Sequence, residues 1–511
     1  MTIQKGVSED AKKDPVQNAM GELGRFQIGV CALICLLKFP VAWHQMGIIF
    51  LAPKTEFHCK DPSISKCSES CVEREFNKSI FTNTIQMEFD LVCDRQSLTS
   101  LSQTIFMFGI LIGNIVFGAL ADNFGRRVPL LIAVTVQLIS GVLTSFATNY
   151  WFFVACRFVT AAATGGTMVT SFVLVMEIIG TKWRELFSVL YQVPFNLGHI
   201  TLPLFAYYIR DWHRLQFALS IPSVILLSFY CLVPESPRWY FTMGKVDKSV
   251  KVLEKAAKYN KLPTDNIKGN LETIHRSKSE SEQKANGNFL DLFRSKSMRL
   301  KTICMNFNWF VCGLCLFGVS QYVGESGGNI FLNVALSACF SLPGTVICII
   351  LLKYWGRKKT LITSNFLVGI SMLALTFTDP NNTNVTVTLT TIALTGLYIS
   401  FPTVYLYGGE IYPTVIRNVG IGLASVCSRI GSMIAPFVAT NLAEVYPLLP
   451  PVIFGIVPII GGCLVFFLPE TRGFPLPETI EDGKMLGKKV TRKEKKDLNI
   501  EPDVIFSKNN V

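Results

Sequence analysis

The sequence predicts an all-α membrane protein of twelve transmembrane helices arranged in two six-helix halves. Three observations predict it. The 511-residue chain is 50% hydrophobic and only 16% charged, against about 25% charged for an ordinary soluble domain. Its apolar residues gather in runs of about twenty, the length of helix that crosses ~30 Å of hydrocarbon. Three signals also recur in the same order at nearly one spacing. Gly125 of GALADNFGRR and Gly356 of LKYWGRKK lie 231 residues apart, Glu177 and Glu410 lie 233 apart, and Pro234 of VPES and Pro469 of LPET lie 235 apart. Each of those glutamates has an arginine seven residues on, Arg184 and Arg417. Repetition at a fixed period marks a duplicated unit, here of roughly 230 residues.

In chain order, residues 1–25 are polar and mixed in charge and lack the apolar core and cleavage site of a secretory signal. Helices are expected at about 26–50, 98–118, 128–148, 151–178, 186–208 and 214–233, making an N-terminal half over 26–233. A linker over 234–301 is rich in Lys, Ser, Asn and Glu, with helical periodicity around 245–259. Helices at about 302–322, 329–352, 360–378, 387–409, 419–440 and 450–468 then make a C-terminal half over 302–468, followed by a charged tail over 469–511. Its composition is that of a disordered segment.

Basic residues set the orientation, because cytosolic loops carry the excess of Lys and Arg. Arg238 to Lys301 holds fifteen Lys/Arg against seven Asp/Glu, whereas Ala52 to Ser97 holds six against eight. With twelve helices, the clusters at 126–127, 182–184, 357–359 and 484–496 fall on the same side as the linker. That side is expected to be cytosolic, with both termini on it, and the 52–97 loop lies opposite. The net charge of +12 is thereby explained by topology, without a nucleic-acid partner. The 52–97 loop holds Cys59, Cys67, Cys71 and Cys93. Four cysteines in an extracytosolic loop predict two disulfides, in any of three pairings. The acceptor triplets at Asn77, Asn381 and Asn384 fall on that same side and are candidate glycosylation sites. No metal-ligating cluster, nucleophile–base pair or Gly-rich phosphate loop stands out, so no metal, cofactor, enzymatic activity or ATP-driven step is expected.

Two cations stand out within the helices. Arg429 lies in GLASVCSRIGSMIAPF, about ten residues from either end of an otherwise uncharged helix. A central arginine costs roughly 2.5–3.5 kcal/mol on insertion scales, so it must face a polar cavity or a partner. No acid lies at the same depth: Glu177, Glu325, Glu410 and Glu444 are all near helix ends. A substrate carboxylate is the natural counter-ion. The alternative is a structural pair or snorkelling. Lys38, in CLLKFPVAW, either adds to the same positive potential or snorkels outward, with Pro40 breaking the helix beside it. His44 is placed near the outer mouth, either as a group that responds to pH or, the plainer reading, as a polar lining residue. Asp122, Arg126, Arg127, Glu177, Arg184, Arg357, Glu410 and Arg417 cluster at cytosolic helix ends. There, ion pairs that form in one state and break in another make a gate; the plainer reading is that the arginines simply fix topology.

With GRFQ before helix 1, DLVCDR at 90–95, GALADNFGRR, PESPRW at 234–239, GEIYPTVIRN at 409–418 and PETRG at 469–473, the chain resembles the organic ion transporters of the major facilitator superfamily. These are the organic cation, organic anion and carnitine transporter relatives. The resemblance runs from about Gly24 to Arg472. It implies a plasma-membrane transporter with a cavity between the halves near mid-membrane, opened to either face by rocking. It implies that Phe172, Gln192, Trp309 and Tyr405 line that cavity with Lys38 and Arg429. Cation-transporting relatives carry aspartate where Arg429 stands, and anion and carnitine relatives carry arginine. A lysine and a glutamate of some cation-selective relatives are replaced near Gly165 and at Ser341. Lys353 stands where the second half would match Asp122, a departure from a symmetric gate. The expected substrate is a small carboxylate-bearing anion or zwitterion, driven by exchange, membrane potential, or coupled sodium or protons. An organic cation is the alternative, and a non-transporting receptor-like role has less support.

Overall fold

The computed structural model describes residues 15–485, apart from 62–66, 69–70, 72, 265, 274–288, 326, 380–381, 475 and 478. Among these residues, ten helices are long and apolar enough to cross a membrane: Arg25–Met46, Cys93–Phe124, Arg127–Thr144, Tyr150–Ile178, Trp212–Leu232, Lys296–Gly324, Ile330–Tyr354, Arg357–Phe377, Thr383–Ile411 and Arg417–Val445. Two more apolar segments complete the six-plus-six pattern. One is Leu449–Val465, a shorter helix. The other is split into Arg184–Leu190 and Val193–Tyr208. In chain order these are spans 1 to 12.

Proline explains the breaks. A proline removes its own N–H and crowds the carbonyl four residues earlier. In span 1, Pro40 follows a helix that ends at Leu36. In span 5, Pro194 follows one that ends at Leu190. In span 8, Pro343 follows one that ends at Cys339. Span 5 was expected as a single helix over 186–208, and Pro194 is the reason it is not. Span 11 ends in a π-helical turn, Phe437–Asn441, just after Pro436.

At one end of the bundle, the loop after span 1 folds into a two-stranded antiparallel ribbon pairing Phe57–Cys59 with Arg74–Phe76. The four loop cysteines form Cys59–Cys71 and Cys67–Cys93. Asn77 and Asn384 are exposed at this end; Asn381 lies outside the described residues. At the other end lie the turns at Gly125 and Gly356 and the linker helix Val246–Asn260. That helix buries Val250, Leu253, Ala256 and Ala257 in one core with Val16, Met20 and the ends of spans 1, 3, 4 and 6. The polar linker stretch 274–288 and most of the expected 484–496 basic cluster lie outside the described residues.

Among the described residues, the halves share one large apolar core toward the disulfide end, where Phe50, Phe106, Trp212, Phe331, Leu397 and Phe454 belong to a single cluster. Toward the basic end each half has its own core. There a small cluster crosses between them, Val189 with Cys348, Leu352 and Ile399. The bundle is thus sealed at the disulfide end and only lightly bridged at the other.

Candidate functional site

The breaks in spans 1 and 5 bring Lys38 and Tyr191 together. Lys38 is 2% exposed, and its Nζ lies 3.8 Å from the centre of the Tyr191 ring. An ammonium desolvated on an aromatic face gains up to about 2 kcal/mol, so Lys38 faces inward and does not snorkel. Phe172 packs against the same ring, with centroids 5.3 Å apart. Gln192 occupies the residue just before the second piece of span 5, at the break itself, without a capping side-chain hydrogen bond. Across from them, span 7 supplies Trp309, 1% exposed with its Nε1 unpaired. The Trp309 ring lies 4.2 Å from that of Tyr405 of span 10, the two planes tilted by 53°, and Tyr405 also meets Phe401 at 5.2 Å.

Arg429 of span 11 is 6% exposed and its Nε has no partner. Its charge reaches Tyr405 and Lys38. No ion pair to Arg429 or Lys38 exists among the described residues. Spans 7 and 11 approach closely through glycine. A Cβ on Gly313 would lie 1.9 Å from the Ser428 carbonyl, and one on Gly431 would lie 2.4 Å from that of Phe310. The six residues expected to line the cavity therefore meet in two groups, Lys38, Phe172 and Gln192 from one half and Trp309, Tyr405 and Arg429 from the other. Tyr191, not anticipated, ties the first group together.

Arg157, also not anticipated, is a third intramembrane cation. It lies in span 4, 2% exposed, donating to Gln103 Oε1 at 3.0 Å and lying over Phe106 at 4.5 Å. His44 corrects its expected place. It is buried inside the N-terminal half, where its ring lies against Gly141 of span 3 and feels the charge of Arg157, because span 1 turns that face toward its own half.

The charged residues at the basic end form two matching networks. Arg126 donates to Glu177 at 2.8 Å and to Asp122 at 2.8 Å. Arg357 donates to Glu410 at 2.8 Å. Glu177 and Glu410 thus take their partners from the preceding turn rather than from the arginines seven residues on. Arg184 donates to the Ile179 carbonyl and Arg417 to that of Tyr412. In place of a second acid, Lys353 lies over the Tyr354 ring, 5.5 Å from its centre.

Two further glutamates complete the networks. Glu235 of VPES accepts from the backbone N–H of Arg126 at 2.7 Å and of Arg127 at 3.2 Å. Glu470 of LPET does the same for Arg357 at 2.9 Å and Lys358 at 3.1 Å. Each carboxylate satisfies the unpaired N–H groups that open a helix, where negative charge is favoured. Burial raises the Glu235 carboxyl above its ordinary value, while the backbone N–H groups of Ser236, Arg126 and Arg127 pull it back. The sequence signal was present, since VPES and LPET are one of the three repeated marks. The Arg127 guanidinium reaches the Tyr230 carbonyl.

Known proteins decide the family. The model of the sugar (and other) transporter family matches residues 30–482. The chain belongs to that family. It is 31% identical over 527 residues to the organic cation transporter protein of Drosophila melanogaster, covering 94% of this chain and 96% of the relative. It is 32% identical to solute carrier family 22 member 3 of Rattus norvegicus, covering 93% and 96%. Among solved structures, the inward open conformation of the xylose transporter XylE from E. coli matches with a TM-score of 0.65 at 18% identity, over 90% of this chain and 98% of that one. The organic ion transporter of the major facilitator superfamily expected from the motifs is thus the family found: a multi-pass membrane transporter of small solutes.

Proposed function

We propose that this transporter carries small organic ions bearing a carboxylate, anions or zwitterions of the carnitine or amino-acid-derivative kind, by alternating access across the plasma membrane. The observation that carries this reading is the pair Lys38 and Arg429. Two buried cations come from opposite halves, with no ion pair to either among the described residues. Such a pair favours an anionic guest, because an arginine fork matches a carboxylate with two parallel hydrogen bonds. The faces of Tyr191, Phe172, Trp309 and Tyr405 suit the cationic end of a zwitterion. The second reading, an organic cation, is favoured by the names of the relatives, and the same aromatic faces would serve it.

In this reading the basic end is cytosolic, with both termini, and the disulfide loop is extracellular. Sealing at the disulfide end then corresponds to a carrier biased toward the cytosol. The Arg126 and Arg357 networks, each contained within one half, are the gate elements that rearrange when the halves rock. Exchange, membrane potential, or coupled sodium or protons supply the driving force.

Uptake by cells expressing the chain tests this reading, using an aromatic organic anion, carnitine, a β-amino acid derivative and tetraethylammonium. At least one carboxylate-bearing solute is expected to enter at several times background and to be unaffected by excess tetraethylammonium. Entry of tetraethylammonium alone would establish the second reading.

A further inference from the structure

Toward the disulfide end, where the two halves meet, lies a cavity of about 30 Å³ lined from both sides, room for about one water molecule. Lys54 follows span 1, Gln86 comes from the disulfide loop and Thr99 from span 2; Gln321 and Glu325 come from the end of span 7 and Thr440 from the π turn of span 11. The cavity sits within the seal. Ile49 packs where a side chain on Gly324 would stand, 2.8 Å away. The Ser100 hydroxyl meets the Pro436 carbonyl, Thr440 and Asn441 across the halves. Gln321 Oε1 is buried in this region without a donor.

Glu325 is the chemical oddity of the seal. It is partly buried at the end of span 7. We propose that Glu325 is a proton-binding site coupled to this seal, its carboxyl protonated while the halves are closed over it and ionised when they part. An ionised carboxylate in so small a space costs desolvation and repels Glu444, whereas the neutral acid supplies an O–H in the cavity that holds the undonated Gln321 oxygen one turn earlier. Burial, reinforced by Glu444 and opposed by Lys54, pushes the Glu325 carboxyl up to about 8. Among the described residues, the other charged groups facing it are Lys54 and Glu444, which pair at 3.4 Å at the exposed edge of the site. Tyr322 is the titratable neighbour on its own helix. Gln86, Gln96 and Thr99, which also line the cavity, are uncharged.

When the halves part, Glu325 meets water and titrates near the ordinary value of about 4.3. The sealed form therefore binds the proton more tightly. Lowering the pH from about 8 toward 4.3 favours sealing by up to tenfold per pH unit, and above about 8 the effect is exhausted. The proton enters and leaves from the same end, so it moves none across the membrane. The device senses pH on the disulfide side and sets how often the cavity opens there. It is independent of the charge of the substrate.

The test uses the full-length purified chain carrying Thr99→Cys, labelled with a sulfonated maleimide and read at that peptide by mass spectrometry. Rates are divided by those of Tyr446→Cys, at an exposed site of the same end, to cancel thiolate chemistry. The relative rate is expected to rise at least tenfold between pH 6 and pH 8. With Glu325→Gln, or with Glu325→Asn as a second neutral replacement, it is expected to stay flat at the slow level. Glu444→Gln is expected to keep the slope with its midpoint at lower pH. A flat profile in the Thr99→Cys chain, or an unchanged slope in both Glu325 variants, would overturn the proposal.

Discussion

Arg429→Ala is expected to abolish uptake of a carboxylate-bearing substrate, lowering kcat/KM by at least 30-fold, while the protein still reaches the cell surface. Truncating one partner of a buried charged hydrogen bond costs about 2–5 kcal/mol, and 2 kcal/mol already corresponds to about 30-fold. Arg429 is buried with an unpaired Nε and touches no acid among the described residues, so its removal breaks no internal ion pair and folding should survive. Arg429→Lys keeps the charge without the fork and is expected to recover part of the activity. Lys38→Ala should cost less, because that ammonium already has the Tyr191 face as a partner. Surface biotinylation beside uptake separates the outcomes. Loss of the protein from the surface would make Arg429 structural. Undiminished uptake would remove it from the site.

Gly125→Val is expected to reduce the mature protein at the cell surface by about tenfold or more, and Gly356→Val to do the same. Both glycines hold positive φ with extended ψ, Gly125 at φ 97 and ψ 171 and Gly356 at φ 83 and ψ −177. That region is essentially closed to side chains and costs about 1–3 kcal/mol for the backbone alone. Space adds to the cost. A Cβ on Gly125 would lie 2.3 Å from a Glu235 oxygen and one on Gly356 2.7 Å from a Glu470 oxygen. The intruding side chain would expel the carboxylate that caps spans 3 and 9, and would loosen Arg126 and Arg357 beside it. Normal amounts of either variant at the surface, measured by immunoblot of the biotinylated fraction, would contradict the cap.

Much of this was legible in the chain. Spacing alone located the two turns, because duplication repeats Gly125 at Gly356 and carries Glu235 to Glu470. The role of those glutamates was not legible, since a carboxylate 109 residues from the backbone it caps leaves no local pattern. Glu177 was set beside Arg184 for the same reason. Sequence proximity suggested a neighbour, while packing of the turn against span 4 supplied Arg126 instead. Pro40 announced its break, and Pro194 and Pro343 obeyed the same rule unnoticed inside runs that looked uniformly helical. Arg157 escaped because it sits within about two turns of the start of span 4, and its partner Gln103 lies on another span. The disulfide pairing needed the ribbon, which sets Cys59 opposite Arg74 and so brings Cys71 to it. What the motifs do not reach is the substrate, whose charge is argued from Lys38 and Arg429, two buried cations on opposite halves.

The most direct test of that argument is uptake of a matched pair that differs only in the carboxylate, such as carnitine and its methyl ester, or β-alanine and its amide. Whichever pair the transporter accepts, the acid is expected to enter at least tenfold faster than its neutralised analogue, and the difference should vanish in Arg429→Ala. Equal uptake of both members, or preference for the ester or amide, would contradict a carboxylate held by Arg429 and Lys38.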